Sequence, residues 1–195
     1  VEQGHRRIAF VGPVYSTDST GRKALELRRK FFKDYLESHT EEGIEGTLLD
    51  LEWQEGDVAE AVMLYFKSRK GGGEKPTAFF AYNETTAMGV LRALQIMGCQ
   101  VPEDYSILSY NDTLLATLTQ PQLSGIRINI EEMVQNVILL LERMVREPNA
   151  IPLSISVPCT LVVRDSVKHY LKFQDCKQKR VGARTGKDSA VTVCQ

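Results

Sequence analysis

The chain reads as an α/β protein built on a parallel, doubly wound sheet, and three observations point there. Short apolar runs of strand length alternate with longer stretches of helical period. Two of the runs end alike, FFAY in Asn83 and ILSY in Asn111 and Asp112. Between them lies one helical stretch closed by Gly98 and a proline turn, the crossover that two parallel strands require.

The elements follow in order. Residues 7–11 (RIAFV) form a continuous apolar run stopped by Gly12 and Pro13, as a strand covered on both faces does. A polar loop is expected over 15–21. Residues 24–36 carry Leu27, Phe31, Phe32, Tyr35 and Leu36 on a helical stripe. Residues 47–51 (TLLDL) are a second strand. Residues 58–66 are a second amphipathic helix, ended by the turn Lys70-Gly71-Gly72-Gly73. A third strand is expected over 76–81, a third helix over 85–97 and a fourth strand over 105–109. Residues 123–130 read as extended. Residues 131–146 form a strong helix, with acids at its start and Arg143 and Arg146 at its end, as the helix dipole prefers. Its apolar side is broad. Residues 155–163 are a last strand region whose proline places it near an edge or a bulge.

Composition narrows the function classes. The 195 residues are 43% hydrophobic and 25% charged, with a formal net charge of -1, so no global field draws the chain to nucleic acid or a membrane. No apolar run is long enough to span a bilayer. Cys99, Cys159, Cys176 and Cys194 show neither metal-ligand nor CxxC spacing, and are expected as unpaired thiols in a reducing cytoplasm. Residues 168–195 lose all periodicity and gather Lys168, Lys172, Lys177, Lys179, Arg180, Arg184 and Lys187 against Asp175 and Asp188. A disordered basic tail is expected there.

In a parallel sheet, the tips at Asn83 and at Asn111–Asp112 rise side by side at the carboxyl edge, where open α/β sheets bind ligands. Neither tip brings a nucleophile or a general acid–base pair. The chain lacks G-x-G-x-x-G, a P-loop and G-x-S-x-G, and His5, His39 and His169 have no evident catalytic partner. No catalytic residue, metal site or cofactor is expected. Amides that both donate and accept suit a small polyhydroxylated molecule. Asn83 also stands where it can cap the helix that follows, and Asp112 reads as structural, holding its loop.

Six segments taken together resemble the effector-binding domain of the lactose/galactose-repressor (LacI/GalR) family of transcription regulators. They are Gly4 to Gly12 (GHRRIAFVG), residues 76–89, residues 101–107 (VPEDYSI), Tyr110-Asn111-Asp112, Pro121-Gln122-Leu123-Ser124 and residues 161–166 (LVVRDS). They keep the family's order and spacing over residues 1–167. The sub-group most similar comprises the galactose and β-galactosidase operon repressors, which share the pattern Arg28-x-x-x-Phe32-x-x-Tyr35 and the isoleucine after Arg127.

The resemblance implies most of one lobe, the C-terminal one, of a two-lobed periplasmic-binding-protein-like (type I) fold. It implies that helix 131–146 crosses to an N-terminal lobe outside this chain, the alternative being that it packs on its own sheet. Arg28, Trp53, Asn83 and Asn111 become the ligand-binding residues. Arg28 would fork onto hydroxyls and Trp53 would stack on a sugar ring. Asn111 stands where many relatives carry aspartate. Met88, Arg92, Leu115, Ala116 and Leu118 become the homodimer interface, although the 114–118 loop could instead tuck onto its own domain as a helix. The implied partners are a sugar effector, a second copy, and operator DNA through a helix-turn-helix not present here. No membrane is implied. A secreted sugar-binding protein of an uptake system shares the fold and stands as the alternative.

Overall fold

A computed structural model describes residues 4–17, 20–51, 57–69 and 74–168. Trp53 and the basic tail beyond Lys168 lie outside the described residues. Within them the elements run β1 (Arg7–Pro13), β2 (Tyr15–Thr17), β3 (Lys23–Leu25), α1 (Leu27–Ser38), β4 (Glu45–Leu51), α2 (Val58–Ser68), β5 (Ala78–Ala81), α3 (Glu84–Ile96), β6 (Ser106–Asn111), α4 (Leu115–Leu118), β7 (Ser124–Arg127), α5 (Ile130–Arg146) and β8 (Thr160–Val162). The main sheet has the order β4-β1-β5-β6-β7-β8. Its pairs are parallel except β7 with β8. The α/β class and the parallel, doubly wound arrangement read from the sequence are therefore present.

Strand alternation sorts the two faces of the sheet. Ala9, Val11, Phe79, Ala81 and Ile107 point to one face and pack under α2 and α3, through Val62, Phe66, Val90 and Leu94. Phe10 and Phe80 point to the other, where Phe32 of α1 closes an aromatic cluster with ring centroids 5.6 to 6.3 Å apart. Beside α1 that second face is open. A groove of about 460 Å³ runs over Ile8, Phe32, Tyr35, Phe80, Leu108 and Leu161.

Several boundaries differ from the sequence reading. The helix expected from residue 24 starts at Leu27, because Lys23–Leu25 pairs antiparallel with Tyr15–Thr17 and makes a small hairpin of the expected polar loop. The extended stretch 123–130 is a strand only over Ser124–Arg127, since Asn129 caps α5. The 114–118 segment is a single helical turn in which Ala116 alone is buried. Ala116 packs in the domain's own core, so it is not surface available to a second copy. α5 buries none of its side chains. Val137, Leu139, Leu141 and Val145 are all more than half exposed, so the alternative that α5 packs on its own sheet is not what the structure shows.

Candidate functional site

The site grows from the carboxyl ends of β1, β5 and β6. Gly12 near the end of β1 makes room for the next strand's tip, because a Cβ there would lie 2.7 Å from the Cβ of Tyr82. The backbone N–H of Tyr82 donates to the carbonyl of Val11 at 2.9 Å and holds the tip level with β1. Asn83 follows with extended backbone and caps α3, its Oδ1 accepting from the N–H of Thr86 at 2.9 Å. That engages the amide oxygen once. Glu84, the first residue of α3, is buried and accepts from the N–H of Thr113 at 2.8 Å, tying the β5 tip to the β6 tip.

Arg28 reaches this edge from the first turn of α1. Its guanidinium lies 3.8 Å from the centre of the Tyr82 ring and 5.0 Å from that of Tyr110. Nε donates to Oε1 of Glu26 at 2.6 Å and Nη1 to the carbonyl of Tyr82 at 3.1 Å. Glu26 is the buried N-cap of α1, and the same Oε1 accepts the Arg28 N–H at 3.2 Å. Arg28 is therefore not one of a solvated row of basic residues. Two rings, one carboxylate and one carbonyl fix its plane, and its side chain is 25% exposed.

At the β6 tip, Asn111 and Asp112 have φ of 97° and 56°, in the left-handed region that Asn and Asp tolerate best after glycine. The Asp112 carboxylate is fully enclosed, with Oδ1 bound to Arg164 and Oδ2 to Arg127 at 2.8 Å. Burial pushes this carboxyl up. The hydrogen bonds and charges of the two arginines outweigh burial and hold it below its ordinary range. Tyr110 is pushed up by burial and by the Cys159 thiol 3.8 Å from its hydroxyl.

The structure thus brings Arg28, Asn83 and Asn111 to the neighbouring ends of β5 and β6, while Trp53 falls outside the described residues. Met88, Leu115 and Leu118 are exposed, and so is Arg92, which pairs with Asp57 at 3.3 Å. α3 and α4 pack together, so these four residues stand on adjoining elements. Among the described residues, no group of three or more His, Cys, Asp or Glu could hold a metal, and no helix is long and apolar enough to cross a membrane. Sequence reasoning missed Glu26, Tyr82 and Tyr110. A signal for the tyrosines was visible, since both tips carry the same Tyr-Asn pair. Nothing marked Glu26, because glutamate is not a favoured helix cap.

With this geometry in hand, the comparisons with known proteins decide the family. The model of the periplasmic binding protein-like domain matches residues 1–167. The chain belongs to that family, and the curated relatives it resembles are transcription regulators of the LacI/GalR type. It is 34% identical over 170 residues to the transcriptional regulator GalR of Streptococcus thermophilus, covering 86% of this chain and 49% of that protein. It is 27% identical over 171 residues to the regulator GanR of Bacillus subtilis, covering 85% and 50%. The chain thus spans about half the length of the curated relatives it matches. Among solved structures, a sugar-binding LacI-family regulator from Escherichia coli complexed with phosphate superposes with a TM-score of 0.64 at 28% identity, over 86% of this chain and 56% of that one. A LacI-family regulator from Arthrobacter in complex with lactose gives 0.68 at 24% identity, over 85% and 59%, a likeness of fold.

Proposed function

We propose that this chain is the ligand-sensing and dimerisation part of a sugar-responsive, DNA-binding repressor. The observation that carries the proposal is the held guanidinium of Arg28, with the amides of Asn83 and Asn111 at the adjoining strand tips. Arg28 keeps Nη2 for a ligand, a donor fork that fits two vicinal hydroxyl oxygens. Asn83 keeps its amide N–H2 donors, and Asn111 adds a second amide. Such a set orients a polyol without reacting with it, and no catalytic role is assigned to any residue. The GalR and GanR relatives are transcription regulators, which favours a repressor over a secreted uptake protein.

The mechanism is closure of two lobes on the effector, shifting a two-state equilibrium that is coupled to operator affinity. The bare apolar face of α5 supports a role in that arrangement, as the surface that meets the second lobe. Trp53 is assigned the ring-stacking contact. Met88, Arg92, Leu115 and Leu118 are assigned to a two-fold dimer interface, since exposed apolar groups clustered on a surface mark partner contacts. DNA contact belongs to a helix-turn-helix outside this chain, and the working compartment is the cytoplasm. Calorimetry of Asn83→Ala in the full-length protein tests the site. Loss of a hydrogen bond to a buried hydroxyl weakens effector binding by about 1–3 kcal/mol, and an unchanged affinity removes Asn83 from the site. Sedimentation of Leu115→Glu tests the interface: loss of the dimer with the fold retained supports it, and a folded variant that stays dimeric refutes it.

A further inference from the structure

We infer that Glu26 is the positioning residue of the effector site, acting on the ligand through Arg28 and not by touching it; the inference rests on the sugar-sensing reading above. Glu26 is 3% exposed, so its carboxylate is out of reach of a ligand in the cleft. A buried carboxylate persists only where it is paired and hydrogen-bonded. Its side chain accepts two hydrogen bonds from Arg28, one from the backbone N–H and one from Nε. The main chain of Glu26 is fixed as well, its N–H donating to the carbonyl of Val14 at 3.1 Å and its carbonyl accepting from Lys30 at 3.0 Å. The acid is therefore anchored to the β1–α1 connection before Arg28 leaves the helix.

The geometry divides the guanidinium into two edges. Nε faces Glu26, and Nη1 gives one hydrogen to Tyr82 O. Tyr82 and Tyr110 lie against its face. An arginine side chain is rich in rotamers, and fixing it at the moment of binding costs affinity. Here the ordering is done in the folded chain, and Glu26 is the charged group that does it. Of the acids at the β5 and β6 tips, Glu84 is engaged with the N–H of Thr113 and Asp112 with Arg127 and Arg164. Neither can replace Glu26 as the partner of Arg28 without giving up its own.

Glu26 also caps α1, and the variants separate the two roles. Glu26→Gln keeps an acceptor for the Arg28 N–H and removes the charge. Glu26→Asp keeps the charge and is a better cap, but it is one methylene too short for the present bond to Nε. Both are measured in the full-length protein by calorimetry against galactose and lactose, with Arg28→Lys alongside, and the Arg28 Nε–H resonance is followed by NMR. Expected are a weakening of roughly tenfold or more in Glu26→Gln, a value set by the strength of a charge-assisted hydrogen bond, a similar trend in Glu26→Asp, and a displaced Nε–H signal in both. Glu26→Gln added to Arg28→Lys causes no further loss. The inference is overturned if Arg28→Lys weakens binding while whichever Glu26 variants fold bind as the unsubstituted protein does. If Arg28→Lys itself leaves both affinities unchanged, the sugar-sensing reading of this edge fails with it.

Discussion

Replacing Asp112 with asparagine severs the ion triad that joins the end of β6 to Arg127 and Arg164. The two halves of the triad are unequal. Arg127 is 54% exposed and solvent screens its pair, so that half contributes about 0–1 kcal/mol. Arg164 is only 14% exposed and faces a carboxylate with no exposure at all. Removing one partner of a buried pair costs about 3–5 kcal/mol. The asparagine retains an acceptor, and Arg164 retains its bond to the carbonyl of Leu123, which brings the expectation for Asp112→Asn to about 2–4 kcal/mol. For a chain of this size that lowers the melting temperature by roughly 4–16 °C. Urea unfolding followed by circular dichroism gives the value directly. Arg164→Gln falls in the same range and Arg127→Gln stays under about 1 kcal/mol. The reasoning is refuted if Asp112→Asn changes stability by less than 0.5 kcal/mol (about the spread of ordinary surface substitutions), or if Arg127→Gln costs as much as Arg164→Gln. The pH dependence has a defined sign. The folded carboxyl lies below its unfolded value, so the unfolded chain binds more protons in the acid window. The stabilisation is complete above the unfolded carboxyl range and disappears as pH falls through the depressed folded value. Asp112→Asn flattens that acid limb.

Further outcomes follow from other parts of the fold. His5 bridges Thr77 and Ser106, and burial lowers it to about 4, so the folded state binds its proton less readily than the unfolded state. Stability therefore declines as pH drops from about 6.5 toward 4, by up to about 3 kcal/mol, and unfolding midpoints of His5→Asn measured at pH 7.5 and 5 show a smaller decline. Gly12→Ala forces the β5 tip away from β1 and costs about 1–3 kcal/mol in urea unfolding, since the clash is with the Tyr82 Cβ and the Phe10 ring, not with a flexible chain end. Val137→Glu with Leu141→Glu in this chain leaves unfolding free energy within about 0.5 kcal/mol and lowers binding of the dye ANS, because both side chains are more than half exposed on α5.

What the sequence disclosed depended on how local the cause was. The parallel strands were legible because their apolar runs, the stop of β1 at Gly12 and the end of the crossover helix at Gly98 are local signals. Asn83 as a cap was legible for the same reason, as a favoured cap residue opening a helix. The hairpin of Tyr15–Thr17 with Lys23–Leu25 was not, because its strands are only three residues long and almost wholly exposed, so no buried face imposes a period-2 pattern. The exposed face of α5 followed from the breadth of its apolar stripe only once the family was named; periodicity alone allowed it to pack on the sheet. The packing of two rings against Arg28 was beyond local reading. It joins residues 28, 82 and 110, from α1 and from the ends of β5 and β6, which only the tertiary fold brings together. Glu26 was hidden for the opposite reason: it sits two residues from Arg28, and an acid beside a basic run reads as an ordinary solvated pair until its burial is seen.

The most direct measurement is the operator affinity of the full-length protein, read by fluorescence anisotropy while galactose, lactose, ribose and cellobiose are added in turn. A sensor built on this edge shifts its DNA affinity with at least one of these sugars by roughly 5–150-fold, the usual size of an allosteric coupling. Arg28→Ala abolishes that shift and leaves the affinity without sugar unchanged. A shift that survives intact in Arg28→Ala, or DNA affinity indifferent to all four sugars, contradicts the assignment.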